Sequence, residues 1–413
     1  MFENNHTPVT AGHYSLIRML MGSYLMIHFL HLLPYGAELF SSEGLLPAQL
    51  SPLLGIISNP LSDFDTPMLV AVLLITGAVC GICIAIGWYD RIASIVAAVI
   101  LGWLYARNPL IANPSLPVVG WMLVAHAFLP TGAYGAWSSK NQPERWLKWF
   151  YPRPIWIAAW ILLAVAYSYS GYTKLLSPSW VDGSAINLVL ENPLARDHFI
   201  RNLLLELPPV FLKLLTWSVL IIELLFVLFC FSAFTRKWAW LVMFAIQFGF
   251  LTLLNFADLT FPMLLIHALT FDRRWVDKYR PQESAILFYD GTCAFCSGLV
   301  RFALSEDVDK KLQYSPLQGS TFQEKGVVPN EDDSIAVLKP AGETLYKSDA
   351  AIHCLEQLGG VWLILGKLMK VFPRAFRNTV YDFVGNIRYR LAGKVDTNTC
   401  QLLPGKYAEQ MLP

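Results

Sequence analysis

Two cysteines three positions apart, Cys293 and Cys296 in ILFYDGTCAFCSGLVRF (286–302), are the residues of this 413-residue chain best placed to do chemistry. A Cys-x-x-Cys pair can cycle between dithiol and disulfide. One thiolate attacks a disulfide, and the second sulfur then closes on the first and releases the product. AILFY reads as a buried strand and SGLVRFAL as an amphipathic helix, with Asp290, Gly291 and Thr292 as the turn between them. That order puts Cys293 at the helix N-terminus and Cys296 one turn inside. Amide N–H groups at a helix start favour a thiolate. Cys293 is therefore expected to be the more acidic, more exposed, attacking thiol, and Cys296 the resolving one. The competing chemistry is a zinc site, which needs two further ligands. His353, Cys354 and Cys400 are available, but no second pair has metal spacing.

Downstream come strand-like LQYSPL and SIAVLK, a turn at PAGE, then TLYKS and the helical DAAIHCLEQLG. The order is β-α-β followed by β-β-α, that of an α/β thioredoxin-like fold. The segments YDGTCAFCSGLVRF, YSPLQG, LYKSDAAIHCLEQLGG and VYDFVGNIRYRLAG follow one another as in the DCC family of thiol-disulfide oxidoreductase-like proteins, which residues 285–400 resemble. The resemblance implies a thioredoxin-like fold with Cys293 and Cys296 as the redox pair. It also implies that Asp290 belongs to the signature, for which proton transfer is the expected role. Ordinary thioredoxins place a cis-proline just before the third strand. Here that place reads EDDSIAV, and Pro329 comes several residues too early.

What precedes this domain is of another kind. The chain is 55% hydrophobic and only 15% charged, against roughly 25% charged in soluble domains. The deficit lies between Tyr14 and Phe271. Charges return at DRRWVDKYRPQES, which sets a boundary between 1–275 and 276–413. A net charge of +1 gives nucleic-acid binding no support. A spanning helix needs about 20 mostly apolar residues. Candidates are 14–33, 67–87, 92–106, 116–130, 155–173, 209–232, 238–254 and 259–271, so a polytopic α-helical membrane domain of about eight helices is expected. MFENNHTPVTAGHYS lacks the basic flank and cleavage site of a signal peptide, so the first run is expected to stay as a helix. With eight spans, Lys and Arg in the connecting segments divide eleven to four between the two sides. The positive side faces the cytoplasm. Both termini are thus expected in the cytoplasm, in a bacterial inner membrane.

Ionisable residues inside a bilayer are costly and usually functional. Arg18, His28, His31, His126, Glu223 and His267 qualify by position, with Glu223 in the middle of a span and His28 and His31 on one helix face. The segment YSYSGYTKLLSPSWVDGSAINLVLENP (167–193) places Lys174 at a helix end, followed by Trp180 and Gly183. With YARNPLIANPS (105–115), it resembles the HTTM family, the membrane domain shared with vitamin K-dependent gamma-carboxylases and SdpB-type peptide-toxin maturation proteins. That resemblance covers about residues 10–275. It implies that Lys174 matches the carboxylase lysine that deprotonates a hydroquinone. The competing reading is a lysine that reaches the interface. The large β-rich domain of the carboxylases is missing. Cys80 and Cys83 in VCGIC share a face of the second helix, either as small packing residues or as a membrane dithiol.

The tail WLILGKLMKVFPRAFRNTVYDFVGNIRYRLAGK sets Lys367, Lys370, Arg374, Arg377, Arg388, Arg390 and Lys394 against a single acid, Asp382. Basic amphipathic segments favour the anionic cytoplasmic leaflet, though a solvated helix face carries the same pattern. Together these features predict a membrane-bound oxidoreductase. A cytoplasmic dithiol would be coupled to a quinone-like, lipid-soluble or peptide substrate in a membrane pocket, with Cys293, Cys296 and Lys174 catalytic and Asp290, Glu223 and Trp180 supporting. A thiol or dithiol is the expected electron donor, the lipid bilayer is the surrounding partner, and a quinone is the only cofactor class in view; no metal is expected. The alternative is a peptide maturation or export factor whose dithiol handles the cysteines of its cargo.

Overall fold

The computed structural model describes residues 8–51, 53, 58–111, 113–140, 142–328, 335–393 and 405–413. Pro329, Lys394 and Cys400, named above, lie outside them. The chain groups into two units. The first comprises Leu16–Thr131 and Tyr151–Phe271. The second comprises Asp272–Pro413 together with Gly132–Phe150 and residues 8–15, which the sequence boundary had assigned to the first part.

The first unit is helical. Its long helices are α1 (Ala11–Leu32, whose first turn belongs to the second unit), α2 (Pro67–Ile86), α3 (Asp90–Arg107), α4 (Leu116–Ala127), α5 (Arg153–Leu175), α6 (Pro209–Leu224), α7 (Ala233–Leu253) and α8 (Ala257–Thr270). A helix stands at each of the eight apolar stretches, but eight spans are not confirmed. Among the described residues, three helices are long and apolar enough to cross a membrane: α1 with its continuation to Phe40, α2 and α5. A fourth is gained if the bent pair Phe199–Leu205 and α6, which meet at 108°, counts as one. The rest fall short for visible reasons. α4 and α8 have 12 and 14 residues; α3 carries Asp90, Arg91 and Arg107; α7 carries Arg236, Lys237 and Gln247. The ends of α2 show how its backbone is satisfied. Thr66 Oγ1 accepts from Leu69 N–H at the start. Arg18 Nη1 donates to the carbonyls of Ile84 and Ala85 at the end, a cation placed where the helix dipole is negative.

The second unit is built on a four-stranded mixed sheet in the order β2-β1-β3-β4: β1 (Ala285–Tyr289), β2 (Leu312–Pro316), β3 (Ala336–Leu338) and β4 (Thr344–Tyr346). β1 runs parallel to β2 and antiparallel to β3, and β3 and β4 are antiparallel. A parallel pair needs a crossover, and α9 (Ala294–Glu306) supplies it. α10 (Lys347–Leu358), α11 (Gly360–Met369) and α12 (Arg374–Ala392) follow the sheet. The β-α-β, β-β-α succession read from the sequence is thus present. Alternation in β1 sends Leu287 and Tyr289 to one face, where they pack with Val300 and Leu304 of α9 and Cys354 and Leu358 of α10. Phe288 goes to the other face, with Phe322 and Ala336.

Candidate functional site

The end of β1 and the start of α9 form the chemical centre. Cys293 is the N-cap of α9, in extended conformation, and its Sγ accepts the backbone N–H of Cys296 over 3.3 Å. An N-cap acceptor satisfies an otherwise orphaned helix donor. Here the acceptor is the sulfur, and the same N–H stabilises negative charge on it. Asp290, Cys293 and Cys296 bring one carboxylate oxygen and two sulfurs within 4.8 Å of one another. The structure therefore gathers three of the residues nominated from sequence. It departs on exposure: Cys293 is 0% and Cys296 4% exposed, so Cys293 is not the more accessible thiol.

The cover comes from α12, which packs on α9 and α10. The carbonyl of Gly393, just past its end, accepts the N–H of Ala294 in the first turn of α9. Arg388 Nη2 lies 3.8 Å from Asp290 Oδ2. Asp290 Oδ1 accepts from the Thr292 N–H at 3.0 Å, the Thr292 hydroxyl at 2.8 Å and Gln318 Nε2 at 3.3 Å. Tyr381 OH, also on α12, accepts the N–H of Ile335 just before β3. Burial, then the neighbouring Cys293 sulfur, holds the Cys296 thiol well above the usual thiol range, with Arg388 pulling the other way. The tail's charges are largely spent within the domain. Arg374 and Arg377 pair with Asp349, Lys370 with Glu356, and Asp382 with Lys347.

Of the other zinc ligands considered, Cys354 is buried in the core, where burial pushes its thiol up to about 12. His353 lies beside Gln357 and Lys370 in a separate pocket. Among the described residues, only Asp290, Cys293 and Cys296 form a metal-sized group. Both oxygens of Asp290 already face donors, one of them a guanidinium.

In the helical unit, Lys174, Glu223 and Trp180 come together. Lys174 Nζ donates to Glu223 Oε2 and, at 3.2 Å, to Ser170 Oγ. It also sits 4.7 Å from the centre of the Trp180 ring, a cation–π distance. Glu223 is the penultimate residue of α6, beside a break at Leu225 after which a short helical segment, Phe226–Phe229, follows. The helices can approach because residue 171 is glycine; a Cβ there would stand 2.4 Å from the backbone N of Leu224. The remaining candidates are dispersed. His126 faces Asp90 at 3.4 Å; His267 is buried against Trp240 and Tyr167. Of the His28 and His31 pair, only His28 bonds Asp258, at 2.8 Å. Cys80 and Cys83 are both free thiols.

Two groups escaped the sequence reading. Arg388 was counted as tail charge; no local signal ties it to Asp290. Glu306, fully buried at the end of α9, accepts from Thr10 Oγ1, from Gly12 N–H at 2.6 Å and from Trp362 Nε1 at 2.6 Å. Its carboxylate caps the first turn of α1. Gly12 leaves room for this contact: a Cβ would lie 2.8 Å from the Phe302 ring and 2.9 Å from the Glu306 carboxyl, so one of them would have to shift.

The family model of DCC1-like thiol-disulfide oxidoreductases matches residues 287–394. The uncharacterized protein YuxK of Bacillus subtilis (strain 168) is 31% identical over 131 residues, 31% of this chain and 93% of the relative. A chloroplastic DCC family protein of Arabidopsis thaliana is 24% identical over 136 residues, 31% of this chain and 77% of the relative. No solved structure matches. The matched span starts in β1, runs through both thiols and ends beside the Gly393 carbonyl, so with its C-terminal part this chain belongs to the DCC1-like thiol-disulfide oxidoreductase family.

Proposed function

We propose that this protein is a membrane-bound oxidoreductase in which Cys293 and Cys296 exchange electrons with a disulfide or quinone-like substrate. The observation that carries this reading is the Cys296 N–H aimed at Cys293 Sγ. The Cys293 thiolate attacks a substrate disulfide; a Cys293–substrate S–S bond forms and the substrate's other sulfur leaves as a thiolate. The Cys296 thiol then gives up its proton to the Asp290 carboxylate, which has an oxygen within 4.8 Å. Its sulfur attacks Cys293 Sγ, breaking the mixed disulfide. The substrate leaves with two electrons, and an external thiol or dithiol restores the pair. The sheet order supports a thioredoxin-like class. The guanidinium beside Asp290 supports a redox centre over zinc, because it opposes a divalent cation there. Cys296→Ser should trap mixed disulfides and Cys293→Ser should not; the reverse pattern on non-reducing gels overturns the assignment.

A second reading concerns Lys174. Lys174 would act as a base of the carboxylase type in an HTTM-like membrane domain once Glu223 has taken its proton on, since the carboxylate and the Trp180 ring otherwise favour the charged lysine. Lys174→Arg would then insert normally but lose about 10²–10⁴-fold in rate, because arginine stays protonated. Full activity in a reconstituted quinone or peptide assay would leave Lys174 as an anchor only. In the alternative reading, a peptide maturation factor, the same membrane domain holds a cysteine-containing peptide.

A further inference from the structure

The helical unit holds a cavity of about 720 Å³, whose walls include Leu101, Leu104 and Phe261 and whose polar groups include Tyr24, His28 and Asp258. Lys174 is not among its lining residues, so this is a separate site. At the cavity, Asp258 Oδ1 receives the Tyr24 hydroxyl at 2.7 Å and His28 Nδ1 at 2.8 Å; its Oδ2 receives Asn113 Nδ2 at 2.7 Å. A carboxylate only accepts, so Nδ1 carries a proton, and the ring is taken to hold that proton alone. That leaves Nε2 as a lone-pair acceptor, with no hydrogen-bond partner among the described residues. Small-molecule sites have this composition: apolar walls and a few fixed polar groups that set orientation.

We infer that this cavity binds a lipophilic alcohol or phenol, with its apolar body against Leu101, Leu104 and Phe261 and its hydroxyl donating to His28 Nε2. The geometry selects a donor head. An ether or ester of the same shape offers Nε2 no hydrogen and leaves it unpaired, which is how a polar group in an apolar site discriminates. The inference stands apart from the dithiol reading, since it uses none of the same residues.

The test uses the full chain in lipid nanodiscs and a diazirine-bearing alkylphenol as a photoaffinity probe, with labelled peptides located by mass spectrometry. Label is expected on residues 20–32 and 255–261. Unlabelled 4-nonylphenol should compete at a concentration about two- to tenfold lower than its methyl ether, the worth of one hydrogen bond. His28→Phe, which keeps the ring but not the acceptor, should bring the two competitors level. Equal competition in the wild-type protein would mean that the cavity holds acyl chains without reading a head group. Label elsewhere would mean that it is not a site. Either outcome overturns the inference, and neither depends on the variant folding.

Discussion

The N–H of Cys296 reaches Cys293 Sγ over 3.3 Å, while burial and that same sulfur raise the pKa of the Cys296 thiol. The two sulfurs are therefore inequivalent, and the closing step, which needs the Cys296 thiolate, is pH-sensitive. A thiol held above its usual range gains thiolate about tenfold per pH unit up to its pKa. The lifetime of the Cys293 mixed disulfide should thus shorten steadily as pH rises through and beyond the ordinary thiol range. Quenched-flow alkylation reads this directly, and a flat profile would mean that another step limits resolution.

Glu306 ties Thr10, Gly12 and Trp362 together, and burial raises its pKa above the usual carboxylate value. A carboxyl group whose pKa is raised on folding gives stability that is full below the unfolded pKa of about 4.3 and is lost as pH rises through the folded one. Glu306→Ala should cost about 1–3 kcal/mol by orphaning buried donors. Glu306→Gln should lose less as pH rises, because only the wild type carries that slope. Hydrogen exchange of residues 286–304 in the full chain, from acid to neutral pH, measures the narrowing gap.

Lys174 and Glu223 form a pair whose carboxylate is buried. Removing one partner strands the other. Lys174→Met is expected to destabilise by about 3–5 kcal/mol, and adding Glu223→Leu should recover most of that. Thermal melts of the two variants in detergent decide it. A double variant that melts like the wild type but is inactive separates chemistry from architecture.

On the eight-span reading of the sequence, basic residues divide eleven to four between the two sides, and on that reading we propose that the C-terminus is cytoplasmic. A C-terminal alkaline phosphatase fusion should therefore be inactive, and a fluorescent reporter that matures only in the cytoplasm should be active. The opposite result would place the dithiol outside.

The parts legible in the sequence are those whose partners are close along it. Strand, turn and helix around Cys293 and Cys296 occupy one continuous stretch, so their residue types announce the site. Lys174, Trp180 and Glu223 were each conspicuous, but Glu223 pairs with a lysine 49 residues away, which no periodicity reveals. Asp258 drew no attention because a lone acid at a helix start looks like a capping group; only the fold brings it to His28 and Tyr24. The exposure expected for Cys293 failed for a related reason. The pattern of α12 reads as a basic amphipathic surface, whereas Arg377 and Arg388 turn inward to Asp349 and Asp290. The eight-span count is not confirmed, because α4 and α8 are short and because α3 and α7 carry polar residues such as Arg91 and Gln247.

Thr10 and Glu306 are 296 positions apart, so their contact also has a place in time. During synthesis, Thr10 and Gly12 leave the ribosome long before the carboxylate that caps them exists. Every helix of the first unit is made before the Glu306 carboxylate that caps the opening turn of α1. That turn is closed only when α9 is complete, and Trp362 on α11 joins later still. A chain halted before residue 306 would carry an uncapped beginning, a mark by which an unfinished copy differs from a finished one at its first helix.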